Sequence, residues 1–181
     1  MPGDERLRLF LALRLPEPAL DAVAAWQQRE LGGYGLRVVP REHLHVTLAF
    51  LGSRRAAELE AIVHALREAA VSAHGLRLGV ERYRETRSVA MLVLADDGGR
   101  AASLAGGVQR RLEALGAYRR EDRPWLPHLT VARFRERPRL APDPSSMGTR
   151  VLIPSDAAAF LSRLHPGGAR YEVLATARLG G

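Results

Sequence analysis

The chain has 181 residues, no cysteine, and a formal net charge of +7 from 27 basic and 20 acidic residues. A chain of this size buries its own core as one domain, and the lack of thiols excludes disulfides, thiolate nucleophiles and cysteine zinc sites, which leaves His, carboxylates, Ser, Thr and Arg for chemistry. No apolar run nears the roughly 20 residues that span a bilayer, and the first apolar segment reads as a strand with no basic leader before it, so a soluble cytoplasmic protein without a membrane partner is expected.

Every basic residue is Arg, and Lys and Asn are absent. GC-rich coding accounts for this as well as a polyanionic partner does. The charge therefore fits a phosphate substrate without identifying one.

In chain order, residues 7–15 form a dense apolar run ending at Pro16, which suits a buried strand, and Pro18 opens an amphipathic helix over 19–31 that stops at Gly32 and Gly33. Residues 36–39 read as a short strand and 44–51 as a second, closed by Gly52. Leu59, Ile62, Val63, Leu66 and Ala70 recur at helical spacing within a predicted helix over 55–73. Strands are predicted at 76–84 and 89–95, then a turn at Asp96-Asp97-Gly98-Gly99 and a third helix over 101–115. A strand over 128–134 precedes an Arg-rich and Pro-rich surface loop at 135–147, and two C-terminal strands flank the turn signal Pro166-Gly167-Gly168. Hairpin signals with few long crossovers predict an α+β fold on largely antiparallel sheet.

One pattern occurs twice: Leu44-His45-Val46-Thr47-Leu48-Ala49-Phe50, and Pro127-His128-Leu129-Thr130-Val131-Ala132-Arg133-Phe134, with the histidines 83 positions apart. On a strand, residues i and i+2 share a face, so each copy sets an imidazole beside a hydroxyl while Val46 or Leu129 points into the hydrophobic layer behind. A single His-x-Thr arises often by chance. Its repetition in matching apolar context at near half-length separation points to two related halves that bring two imidazoles and two hydroxyls to one cleft. Phosphodiester cleavage needs that equipment: one His takes a proton from water, the other gives one to the departing ribose oxygen, and the Thr hydroxyls donate to phosphate oxygens as charge accumulates. Neither metal nor cofactor is required.

With these motifs in view, the chain resembles the RNA 2',3'-cyclic phosphodiesterases, also called 2'-5' RNA ligases, within the two-histidine phosphoesterase superfamily. The resemblance runs from Arg8-Leu9-Phe10-Leu11-Ala12-Leu13 through both motifs to Gly168-Ala169-Arg170-Tyr171. It includes Phe50-Leu51-Gly52 after the first motif, Arg123-Pro124 and Pro127 before the second, and Arg133 five residues after His128. It implies a bilobal fold with a central catalytic cleft, a partner that is RNA ending in a 2',3'-cyclic phosphate, and cleavage at the 3' oxygen to leave a 2'-phosphate. It also implies His45 as proton donor and His128 as acceptor. Where many relatives carry Trp before the third helix, this chain has Ala90-Met91-Leu92, so any aromatic platform for the terminal base must come from elsewhere.

The candidate site is thus His45 and His128 as catalytic residues, with Thr47, Thr130 and Arg133 binding substrate. Arg133 has two readings, a planar fork for phosphate or a partner for a surface carboxylate. His43 has two as well, a rim residue or half of a His-x-His metal pair lacking a third ligand. Trp125 either packs or stacks on a base. His64, His74 and His165 read as solvated or turn residues, and Tyr171 as a half-buried strand residue or a binding one. The expectation is a monomeric enzyme of two lobes in one domain, with 2'-5' ligation as the reverse reaction. Rivals are a phosphodiesterase for another cyclic phosphate or for 2'-5' oligoadenylate, and a non-catalytic single-strand RNA-binding module.

Overall fold

The apolar run near the N-terminus forms β1 (Arg6–Arg14), with Leu9, Leu11 and Leu13 fully buried on one face and Phe10 and Ala12 on the other. In the computed structural model, which describes residues 5–180, β1 lies between β3 (Val46–Arg55) and β8 (Asp156–His165). With β9 (Gly168–Ala177) they make a four-stranded antiparallel sheet in the order β3-β1-β8-β9. The second sheet is built from β2 (Arg37–Val38), β4 (Leu78–Glu85), β5 (Val89–Asp96), β6 (His128–Arg133) and β7 (Val151–Leu152) in the order β2-β6-β5-β4-β7, also antiparallel. The α+β expectation on antiparallel sheets holds. Among the described residues no helix is long and apolar enough to cross a membrane.

Helices cover the sheets. Helix α1 (Glu17–Leu31) has Pro18 in its first turn, where a missing N–H costs nothing. Helix α2 (Leu59–Ala70) is entered through a 3-10 turn, Ala56–Glu58. Helix α3 (Arg100–Ala114) follows Gly98 and Gly99, whose φ values of 69° and 66° lie in the left-handed region that favours glycine. The Asp96 carboxylate accepts from the amides of Ala101 and Ala102 at 3.0 and 2.7 Å and so caps that helix.

Helices α1 and α3 are exchanged between the sheets, whereas α2 packs on the sheet it leaves. Helix α1 leaves β1 of the first sheet but packs on the second: the Trp26 ring lies 6.4 Å from Tyr83 of β4, and Gln27 donates to Val131 of β6. Helix α3 leaves β5 of the second sheet and packs on β3 and α2 of the first, where Gln109 donates to Leu48. The strand after α1, β2, likewise pairs with β6 in the second sheet.

The structure corrects several boundaries. β3 does not end at Gly52 but runs to Arg55, with Gly52 at a φ of 65° absorbing an irregularity in the pairing with β1. The helix expected over 55–73 becomes α regular only from Leu59 to Ala70. The short strand β7 beyond the Pro-rich loop has no counterpart in the sequence reading. That loop is pinned by the nearly buried Glu85 carboxylate, which accepts from Tyr83, Arg137 and the amides of Arg139 and Leu140.

Candidate active site

Both motif strands reach one cleft of about 530 Å³ whose walls include His45, Thr47, Thr130 and Arg133. The first motif arrives on β3, at the edge of the first sheet, and the second on β6, next to the edge of the second. His45 stands just before β3 begins, and His128 is the first residue of β6. As i, i+2 geometry requires, Val46 and Leu129 between each His and Thr are fully buried in the core behind.

Nδ1 of each imidazole is held by the same kind of backbone contact. Nδ1 of His45 meets the carbonyl of His43 at 2.7 Å, and Nδ1 of His128 meets the carbonyl of Leu126 at 2.9 Å, in each case two residues upstream. A carbonyl only accepts, so Nδ1 carries the proton in both rings, and Nε2 of each neutral ring presents a lone pair. For His45 that nitrogen accepts from the Thr47 hydroxyl at 3.1 Å. His128 is near enough for its charge to act on His45.

His45 rests on an aromatic floor. Phe10, Tyr171 and Phe160 lie 4.9, 5.6 and 6.0 Å from its ring, and Phe10 and Phe160 stack on each other at 4.8 Å. Burial there drives the imidazole down to about 4; the hydrogen bond to His43 opposes this, and charges on His128, His43 and Arg133 add to it. Without substrate at neutral pH, His45 is therefore uncharged.

The remaining wall is basic. Arg8 and Arg37 join Arg133, no Asp or Glu among the described residues lines the cleft, and the Arg8 guanidinium sits 4.8 Å above the half-exposed ring of Phe50. Arg37 reaches across to the other sheet at Gly168, whose φ is 122° and where a Cβ would come within 2.6 Å of the Arg37 guanidinium.

His43 lines the cleft with its ring 4.5 Å from Tyr171, so its role is to hold His45 through its carbonyl and to wall the site. Among the described residues no three His, Asp or Glu side chains gather where they could share a metal ion. Of the two readings of Trp125, packing is the one seen: its indole donates to the Thr47 carbonyl at 3.0 Å, and it is not part of the cleft wall. Tyr171 is a cleft residue, while Arg170 beside it is exposed and outside the wall. Phe50, Arg8 and Arg37 are cleft residues that sequence reasoning misses. Phe50 follows the first motif at the same offset as Arg133 follows the second, and that correspondence is the signal that could have found it.

Comparison with known proteins agrees with this picture. The family model described as LigT like phosphoesterase matches residues 13–86. The crystal structure of TT0787 of Thermus thermophilus superposes with a TM-score of 0.81 at 30% identity, covering 97% of this chain and 99% of that one. E. coli LigT complexed with 3'-AMP superposes with a TM-score of 0.80 at 21% identity over 98% of this chain and 100% of that one, a likeness of fold. A Methanocaldococcus jannaschii protein named RNA 2',3'-cyclic phosphodiesterase is 23% identical over 130 residues, 71% of this chain and 72% of that protein. The chain belongs to the LigT-like family of two-histidine phosphoesterases and is, as such, a phosphodiester hydrolase.

Proposed function

We propose that the protein hydrolyses RNA ends bearing a 2',3'-cyclic phosphate to 2'-phosphates, with His45 as proton donor and His128 as proton acceptor. The observation that carries this reading is the matched anchoring of the two imidazoles, each with Nδ1–H on a backbone carbonyl: His45 lines a cleft whose described wall is rich in arginine and bears no carboxylate, and His128, outside that wall, is near enough to act on His45. The name borne by the Methanocaldococcus relative and the 3'-AMP bound by E. coli LigT support the same substrate class.

In the proposed reaction water attacks phosphorus while the bond from phosphorus to O3' breaks. Nε2 of neutral His128 takes the water proton, and Nε2 of protonated His45 gives its proton to O3'. The products are a 2'-phosphate and a 3'-hydroxyl, with the two rings having traded protonation states, which solvent resets. Thr47, Thr130 and Arg133 donate to the non-bridging oxygens as negative charge builds there. His45 is uncharged before substrate binds, so its proton must arrive with the substrate: the phosphate anion supplies the opposite charge that burial denies the imidazolium.

The test is incubation of the protein, with EDTA present, with an oligonucleotide ending in a 2',3'-cyclic phosphate, followed by identification of the product isomer. A 2'-phosphate is expected. A 3'-phosphate, turnover only with added divalent metal, or faster cleavage of 2'-5' oligoadenylate would each overturn the reading.

A further inference from the structure

Strict alternation along a strand puts residues i and i+3 on opposite faces. In β3, however, Thr47 and Phe50 both reach the cleft, and in β6 Thr130 and Arg133 do the same. The cause is a one-residue bulge at the same place in each motif. Ala12 pairs with Thr47 and the next partner, Leu11, pairs with Ala49, so Leu48 has no opposite number. Met91 pairs with Thr130 and the next partner, Ala90, pairs with Ala132, so Val131 has none. Each bulged residue directly follows the motif threonine, and the extra residue reverses the facing of the residues that come next, Phe50 in β3, before the second irregularity at Gly52, and Arg133 in β6.

Each bulge carbonyl is met by a buried glutamine from the exchanged helix. Gln109 Nε2 of α3 donates to the Leu48 carbonyl at 2.9 Å, and Gln27 Nε2 of α1 donates to the Val131 carbonyl at 2.8 Å. Gln27 also reaches the Val39 carbonyl at 3.1 Å, and the Val39 amide donates to Val131 at 3.0 Å, which ties the bulge in β6 to the cleft wall beside β2. The two glutamines are 2% and 6% exposed, and with Ser162 they are the buried polar residues among those described. A helix position facing this core favours an apolar side chain. An amide there is explained by the bulge carbonyl it meets, Leu48 for Gln109 and, for Gln27, Val131, which accepts from the Val39 amide as well.

We propose that Gln27 and Gln109 are positioning residues that pin these two bulges and thereby hold Arg133 and Phe50 on the same cleft wall as the motif threonines. The proposal rests on the reading above for the part that Arg133 plays toward the substrate, and on the place of Phe50 in the cleft wall beneath the Arg8 guanidinium. Its mechanical content is crossed: the helix that precedes the first motif sets the second, and the helix that precedes the second sets the first.

The test is a pair of double-variant cycles on Gln27→Met and Gln109→Met, each retaining side-chain length without a donor. Each single variant is expected to lower kcat/KM on a cyclic-phosphate oligonucleotide about 3- to 10-fold, no more than loss of the side chain it positions. Gln27→Met combined with Arg133→Ala should lose far less than the product of the single losses, whereas Gln109→Met with Arg133→Ala should lose the full product. With Phe50→Ala the pattern should reverse. A merely structural role lowers thermal stability but does not couple selectively, so losses that multiply in all four combinations, or Met variants with wild-type kcat/KM, would overturn the proposal. Repeating the cycles on affinity for 3'-AMP separates failure of this proposal from failure of the assigned reaction, since binding needs no turnover. Should a Met variant not fold, Gln→Asn, which keeps the amide but falls short of the carbonyl, is read in the same cycles.

Discussion

The indole of Trp125 donates to the backbone carbonyl of Thr47 at 3.0 Å, so the segment leading into the second motif is fastened to the middle of the first. Trp125→Phe keeps the packing and deletes that bond. The expected outcome is a loss of about 1 kcal/mol in stability, read by chemical denaturation. In kinetics, kcat should fall with KM little changed, because the two motifs lose registration and no base loses a stacking partner. A rise in KM at constant kcat would instead indicate that the ring contacts the substrate.

Replacing His45 or His128 with Ala should lower kcat by about 10² to 10⁴, the usual weight of one general acid or base. The double variant should lose less than the product of the two, because either change already breaks the paired proton transfer. Thr47→Ala and Thr130→Ala should cost about 10- to 10³-fold each. Single-turnover rates measure all of these. A double histidine variant retaining near wild-type turnover would rule out the proposed roles.

The depressed imidazole of His45 has consequences for stability. Its folded value of about 4 lies below the unfolded value of 6.5. Between those limits the unfolded chain binds the extra proton, so stability rises with pH across the window. The contribution is fully present above 6.5 and is lost as pH falls toward 4. Its ceiling is about 3 kcal/mol by linkage. His45→Gln should flatten the dependence of stability on pH between 4 and 6.5. An unchanged slope would mean that His45 is not the group responsible.

The same group shapes the rate profile. Proposed as the proton donor, His45 must be charged in the complex though it is neutral in the free protein at pH 7. The basic limb of the bell should therefore lie at higher pH in kcat, which reports the complex, than in kcat/KM, which reports the free protein. The apparent values belong to the coupled pair. Coincident basic limbs would show that substrate does not shift the donor.

Arg133 is exposed and close enough to act on His45, and with Arg8 and Arg37 it gives the cleft its positive wall. Arg133→Ala should raise KM for an anionic substrate about tenfold and weaken the dependence of KM on ionic strength. Equal salt dependence in variant and wild type would show that the charge faces solvent only.

Much of this was legible in the sequence because it depends on periodicity. The apolar run of β1, the stripe of α2 and the glycine turn before α3 fall within a few residues of their predicted limits, and the repeated His-x-Thr led to the cleft. What escaped prediction depends on single-residue irregularities. The alternation that correctly sends Val46 and Leu129 inward would send Phe50 and Arg133 to the face opposite the histidines. A bulge leaves no trace in composition, and Gln27 and Gln109 look like ordinary polar helix residues until the carbonyls they serve are known. His43 acts through its backbone, which no side-chain pattern reports.

The exchange of helices between the sheets bears on how the chain folds. β1 is an inner strand whose partner β3 comes from the first half of the chain and whose partner β8 comes from near the other end, and the layer over β3 comes from α3, after the midpoint. A nascent chain thus holds an incomplete first sheet, with apolar surface uncovered, until residues 156–177 emerge. Such long-range closure makes folding slow relative to a protein of local contacts and makes unfolding a single event, since removing either half strips the other of its covering layer. A protein cut between β4 and β5 should yield two insoluble fragments that regain structure only when refolded together.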